Sequence, residues 1–164
     1  MKLLSVIGSG DLQDEATYEA ARAVGRGLAE VGWTILCGGL GGVMEAVCRG
    51  AKEGGGITIG LLPGVDPREA NRWVDLPITT GAGEARNVAC ATSGRVVVAI
   101  AGSYGTLTEI AFALKYGRPV IALGSWRLDP ARLDPGATLI HVETPEAVLA
   151  EVARLGLRAG RKPG

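Results

Sequence analysis

This chain is short of the residues that most often carry metal and acid–base chemistry. Its 164 residues include one histidine, three cysteines and four lysines. His141 lies inside the apolar segment TLIHVE with no acid–base partner in sequence, which favours a structural role. Cys37, Cys48 and Cys90 are odd in number, form no C-x-x-C pair and have no histidine nearby. A disulfide framework and a zinc site are therefore disfavoured. Three small buried hydrophobes with reduced thiols, in a cytoplasmic protein, fit best. No metal ligands are assigned. Seventeen basic and seventeen acidic residues cancel, so no net field draws the molecule to nucleic acid or to an anionic membrane. The opening MKLLSVIGSG is too short and too soon broken by glycine to be a signal peptide or a membrane span. Two nucleotide-binding signatures are missing as well. The first turn reads GSGDLQ instead of G-x-G-x-x-G, no acidic residue follows the second strand, and no G-x-x-x-x-G-K-[ST] occurs. NAD binding and P-loop chemistry are disfavoured.

What the chain has in excess is glycine, twenty-six residues. They cluster at GSG (8–10), CGGLGG (37–42), EGGG (53–56), TGAG (80–83) and AGSYG (101–105). Most clusters follow a short apolar run and several precede a helical pattern. The apolar runs KLLSVIG, WTILC, ITIGLLP, ITTG, RVVVAIAG, PVIALG and TLIHVE read as strands. Helices are expected at 14–31, with Ala16, Ala20, Val24, Leu28 and Val31 facing inward, and at GGVMEAVCRGAKEG, with Met44, Val47, Cys48 and Ala51 inward. Three more follow at EARNVACATSG, GTLTEIAFALKYG and TPEAVLAEVARLG, the last capped by Thr144 with Pro145 in its first turn. Segments 64–76 and 125–137 read as loops. Continuous apolar strands imply burial on both faces. The expected fold is a single-domain, doubly wound Rossmann-like α/β fold, a mostly parallel sheet flanked by helices. The domain covers residues 1–158, and 159–164 read as a frayed tail.

In such sheets ligands sit beyond the carboxyl ends of the strands, where the second and fifth glycine clusters lie. Each leads into a helix amino terminus, whose free N–H groups and dipole favour an anion. Glycine allows close approach of a phosphate, and Ser103 and Thr106 add hydroxyls. Two such helix ends side by side would suit one phosphate. The competing reading is that these glycines make tight turns and nothing more. Asp11 could bond a ribose or cap the first helix. Trp33 reads as core, while Trp73 and Trp126 lie in the loops, as a ligand lid or a subunit contact.

CGGLGGVMEAVCRGAKEGGGITIGLLP, followed by AGSYGTLTE, resembles the superfamily once labelled possible lysine decarboxylases. It includes the LONELY GUY cytokinin-activating phosphoribohydrolases and the molybdenum-cofactor carrier proteins. Its pattern is G-G-G-x-x-G-[LV]-M, then G-G-x-x-x-G-x-x-P, then P-G-G-x-G-T-x-x-E, and the resemblance spans residues 4 to about 124. It implies a small phosphorylated ligand held by Gly8, Ser9, Gly38, Gly39, Gly41, Gly42, Val43 and Met44 from the first turns and by Gly102, Ser103, Tyr104, Gly105 and Thr106 from the last. It implies Arg86 and Glu109 as the catalytic pair of a hydrolase that cleaves the N-glycosidic bond of nucleoside 5′-monophosphates, Glu109 stabilising an oxocarbenium-like transition state. Glu109 is expected in the first helical turn, where a simple dipole partner would also sit. A homodimer or homotetramer is implied too.

The departures from the hydrolase pattern are specific. Asn87 replaces its lysine, Ala101 its proline, and Glu45 follows Met44 where the hydrolases have glycine. They move the chain toward the carrier-like branch. Two readings stand: an AMP-like nucleotide is bound and hydrolysed, or a nucleotide or molybdopterin-type ligand is carried without turnover. No additional cofactor is required by either. Pyridoxal phosphate is disfavoured, because Lys2, Lys52, Lys115 and Lys162 lie at chain or helix ends and none follows a cofactor motif.

Overall fold

A parallel sheet needs apolar residues on both faces of each inner strand, and the glycine-bounded apolar runs supply them. The computed structural model describes residues 2–12 and 14–158; the tail expected at 159–164 lies outside them. Among the described residues seven strands alternate with five helices. These are β1 (Lys2–Gly8), α1 (Glu15–Glu30), β2 (Trp33–Cys37), α2 (Val43–Glu53), β3 (Thr58–Leu62), β4 (Leu76–Thr79), α3 (Asn87–Ser93), β5 (Val97–Ile100), α4 (Tyr104–Lys115), β6 (Val120–Leu123), β7 (Leu139–Val142) and α5 (Pro145–Arg158). All seven strands join one sheet in the order β4-β3-β2-β1-β5-β6-β7, and every neighbouring pair is parallel. The chain winds outward from β1 to β4, returns to β5 beside β1, and winds outward again. The fold is the expected doubly wound Rossmann-like sheet, with the direction of winding changing between β1 and β5.

Alternation along the inner strands feeds two cores. Leu4, Val6, Val98 and Ile100 face the layer of α1, α2 and α5. Ile7, Val97 and Ala99 face the layer of α3 and α4, where Ile110 and Ala113 of the apolar α4 are buried. The helix α5 starts as expected, with the Ala147 N–H donating to Thr144 Oγ1 (3.2 Å). Trp33 is core.

Four expectations shift. The buried stripe of α1 is Ala21, Val24, Gly25, Leu28 and Ala29, while Ala16 is exposed and Val31, which follows the helix, is 61% exposed. The small residues prevail because α1 packs tightly on α2. A Cβ on Gly25 would fall on the Val47 carbonyl, and one on Gly50 on the Arg22 carbonyl. The N-cap of α1 is Asp14, whose carboxylate accepts from the N–H groups of Ala16 and Thr17; Asp11 has no part in it. Finally, β4 begins two residues early and includes Pro77. It is an exposed edge strand. Thr80 N–H donates to the Leu62 carbonyl of β3, so by alternation position 77 turns its nitrogen to the open side, where proline is tolerated. The helix expected from Glu84 is a 3₁₀ turn, Gly83–Arg86, that passes into α3. Among the described residues no helix is long and apolar enough to cross a membrane.

The α1–α2 crossing carries a direct test. Gly50→Ala forces a methyl into a backbone contact, and overpacking of this kind costs about 2 kcal/mol. A urea melt should show that loss as a lower midpoint at unchanged slope; an unchanged midpoint would mean the helices are not this close.

Candidate anion-binding site

Where the winding changes direction, the loops leaving β1, β2 and β5 part and leave a cleft of about 200 Å³ at the carboxyl edge of the sheet. Gly8 is the point of convergence. A Cβ there would meet the Val43 side chain of α2 at 2.6 Å and the Ile100 carbonyl of β5 at 2.7 Å. The cleft brings together Gly8, Ser9, Gly38, Met44, Arg86, Ser103, Gly105, Thr106 and Glu109 from the expected set, and adds Gly10, Leu40 and Asn87. Gly10 and Leu40 sat inside the quoted glycine clusters, but nothing in their residue type distinguished them.

The other expected residues lie around the cleft and not on it. Gly39 (φ 77°) packs on Gly60 of β3. Gly41 lies beside the Gly10 carbonyl, and Gly42 caps α2 against the Ser9 carbonyl. Val43 is fully buried. Gly102 has φ 107°, and a Cβ there would collide with Thr106. Tyr104 projects from the rim, 77% exposed. Glu45, in the first turn of α2, is half-buried and off the cleft.

The two helix ends expected side by side are not equivalent. The Val43 N–H at the start of α2 donates to the Ser9 carbonyl (2.9 Å), so one N–H of that end is taken by the first loop, while those of Met44 and Glu45 have no acceptor among the described residues. At α4 the first satisfied N–H is that of Leu107, on the Ser103 carbonyl (3.1 Å). The N–H groups of Tyr104, Gly105 and Thr106 have no acceptor among the described residues. An uncapped helix start with a neighbouring hydroxyl is the arrangement that binds anions.

Across from it lies Arg86, with its side chain only 10% exposed. The absence of a side chain at Gly38 makes room for it, since a Cβ at 38 would stand 2.7 Å from both terminal guanidinium nitrogens. Arg86 Nη1 donates to Cys90 Sγ (3.3 Å) and lies 3.9 Å from Glu109 Oε1. Its Nε is buried with no partner among the described residues. A buried guanidinium with a free donor is costly unless a ligand completes it.

Glu109 corrects an expectation. It is the sixth residue of α4, in the second turn, and its side chain is 8% exposed, so pairing with the helix dipole does not explain it. Burial pushes its carboxyl up to about 7, and the Arg86 charge offsets only part of that. At 3.9 Å the two form an ion pair without a hydrogen bond. Burial likewise raises the Cys90 thiol to about 11, so it is no thiolate at neutral pH. Cys37 lies against Cys48, Sγ to Sγ 3.5 Å, and that contact together with burial raises its thiol well above the ordinary range.

Other singled-out residues lie elsewhere. Trp73 packs against the first core with the Arg72 guanidinium 5.1 Å from its ring. Lys52 is bound to Asp75 (2.8 Å). His141 is half-buried on β7, and burial lowers its pKa.

The raised Glu109 carboxyl sets a pH dependence. The unfolded chain loses this proton near 4.5, whereas the fold keeps it to about 7. The stabilising contribution is therefore full below pH 4.5 and is lost as the pH rises through 7, by about 3 kcal/mol in all. Urea midpoints of wild type and Glu109→Gln, compared from pH 4 to pH 8, should diverge in favour of the variant as pH rises. Parallel curves would place the carboxyl in an ordinary, hydrated environment.

Known proteins share this fold. The profile of the SLOG cluster4 family matches residues 1–149. An uncharacterized protein of Archaeoglobus fulgidus is 45% identical over 125 residues, covering 75% of this chain and 82% of that protein. The structure of the molybdenum cofactor binding protein of Rippkaea orientalis superposes with a TM-score of 0.86 at 34% identity, covering 94% of this chain and 96% of that one. The molybdenum cofactor carrier protein of Chlamydomonas reinhardtii gives 0.84 at 36% identity, covering 96% and 99%. With its glycine turns, its β1/β5 cleft and these matches, the chain belongs to the SLOG cluster4 family of the LONELY GUY-like superfamily, with solved neighbours on the molybdenum-cofactor-carrier branch.

Proposed function

We propose that this protein is a carrier that binds a phosphorylated pterin of the molybdenum-cofactor type as cargo. The observation that carries the reading is the nearly buried Arg86 side chain lining a cleft shared with the open amino terminus of α4. A phosphomonoester would accept from the part of the guanidinium that lines the cleft and from the N–H groups of Tyr104, Gly105 and Thr106, with charge-assisted bonds. The donors that line the cleft, a guanidinium and hydroxyls beside an open helix end, suit the phosphate end of the cargo. The names of the two solved relatives support the pterin over other phosphomonoesters.

The hydrolase reading draws on the Arg86–Glu109 pair. One feature weighs against it: the turn departs from the hydrolase form. Ala101 has φ 47°, a left-handed conformation closed to the proline that the phosphoribohydrolases carry there, because proline holds φ near roughly −65°.

The decisive experiment mixes the protein with molybdenum cofactor released anaerobically from a molybdoenzyme and follows gel-filtered fractions. Pterin fluorescence after oxidation, and molybdenum by mass spectrometry, should co-elute with the wild type. Arg86→Ala should weaken retention roughly ten- to a hundredfold, the loss of a charged hydrogen-bond donor. AMP incubated with the wild type should release no adenine. Adenine release that disappears in Glu109→Gln would establish the hydrolase instead. A second check concerns the turn: Ala101→Gly should keep cargo binding and stabilise the fold by about 1 kcal/mol, while Ala101→Pro should lose binding. Equal binding by Ala101→Pro would show that the left-handed turn is not needed.

A further inference from the structure

Tyr104 is a large aromatic side chain standing in solvent, 77% exposed, between Ser103 and Gly105 of the cradle. Such exposure sacrifices the burial that a tyrosine ring normally gains. The ring is nevertheless supported from one side. The indole of Trp126 stands 5.6 Å away, centroid to centroid, with a tilt of 32°. That indole is fixed twice: its Nε1 donates to the Ser103 carbonyl (3.0 Å), and it packs against the second core. Its neighbour Ser125 donates its hydroxyl to the Ala101 carbonyl. The long 125–137 loop is thus tied to the turn that precedes α4, and it braces one residue of the rim.

The size of the cleft gives the rim a role. About 200 Å³ is below the roughly 300–1,000 Å³ that enclosed ligand sites occupy. It takes a phosphate and the atoms next to it. The rest of any larger ligand crosses the rim, and Tyr104 begins one residue, about 3.8 Å of backbone, from the neighbouring N–H group of the cradle.

We propose that Tyr104, braced by Trp126, is a stacking platform for the planar ring of a phosphorylated heterocycle, and that it makes the site select ring-bearing phosphomonoesters over bare sugar phosphates. The inference rests on the phosphate reading of the cleft given above. Stacking on a tyrosine face tolerates any fused heterocycle, because each presents a π-face. Selection therefore falls on the class of ligand, with a pterin and a purine both accepted.

The test is a calorimetric titration of ribose 5-phosphate and of AMP, two probes that differ at the anomeric carbon, which bears a hydroxyl in one and adenine in the other, with free adenine assayed at the end of each run. Wild type should bind AMP about five- to tenfold more tightly than ribose 5-phosphate. Tyr104→Ala should erase that difference; Tyr104→Phe should preserve it. Equal affinity for the two probes in the wild type, or a difference that survives Tyr104→Ala, overturns the platform while the cradle stands. A difference that vanishes together with a fall in molar mass by light scattering makes Tyr104 a contact between copies and overturns it as well. If ribose 5-phosphate fails to bind the wild type at all, the phosphate reading falls, and the platform with it.

Discussion

The pairing of β1 with β5 is the constraint on which the rest of this molecule depends. Because β1 already pairs with β2 on its other edge, the chain must wind away from β1 in both directions. The loops at the carboxyl ends then separate, and a sheet that is otherwise closed by helices opens at one place. Gly8 marks it: β1, β5 and α2 approach so closely there that no side chain fits. Arg86, although it lies far along the sequence from both turns, reaches the same opening because α3 runs under β1 and β2.

Within that opening, charge and backbone are held in states they would not choose in water. Arg86 is enclosed with a donor unspent, Glu109 keeps a proton to about 7, and Ala101 sits in a left-handed conformation. Each is unfavourable by itself. Each is also held by neighbours: the guanidinium by Gly38 and Cys90, the carboxyl by the core around α4, the alanine by the Leu123 carbonyl that receives its N–H. Strain kept in one place by a rigid frame is the usual mark of a site prepared for a partner.

Most of the fold was legible in the sequence, because apolar runs bounded by glycine specify strands, and their continuity specifies burial on both faces. The order of elements and the parallel sheet follow from that. What periodicity could not show was the packing partner. The stripe of α1 moves to Ala21 and Gly25 because α2 comes within backbone contact, and a count of apolar spacing carries no such distance. The site was legible to the extent that its residues form motifs. Arg86 and Glu109 come within 3.9 Å of each other, and Gly38 and Thr106 line the cleft. The two helix ends looked alike in sequence, yet the Ser9 carbonyl takes one N–H of the α2 end, and a carbonyl leaves no trace in residue identity. Tyr104 belonged to the motif, but its bracing by Trp126 depends on a loop with no pattern of its own.

Pro77 in the edge strand has a consequence for how copies of this chain meet. The strand β4 bears Leu76 and Ile78, both exposed, on one face, and its open edge would otherwise invite another strand. A proline whose nitrogen faces outward removes a donor from the middle of that edge, so a second sheet cannot be stitched on there by a regular ladder. An assembly formed through that side would lean on side chains more than on a continuous backbone ladder, a contact that can be tuned one residue at a time.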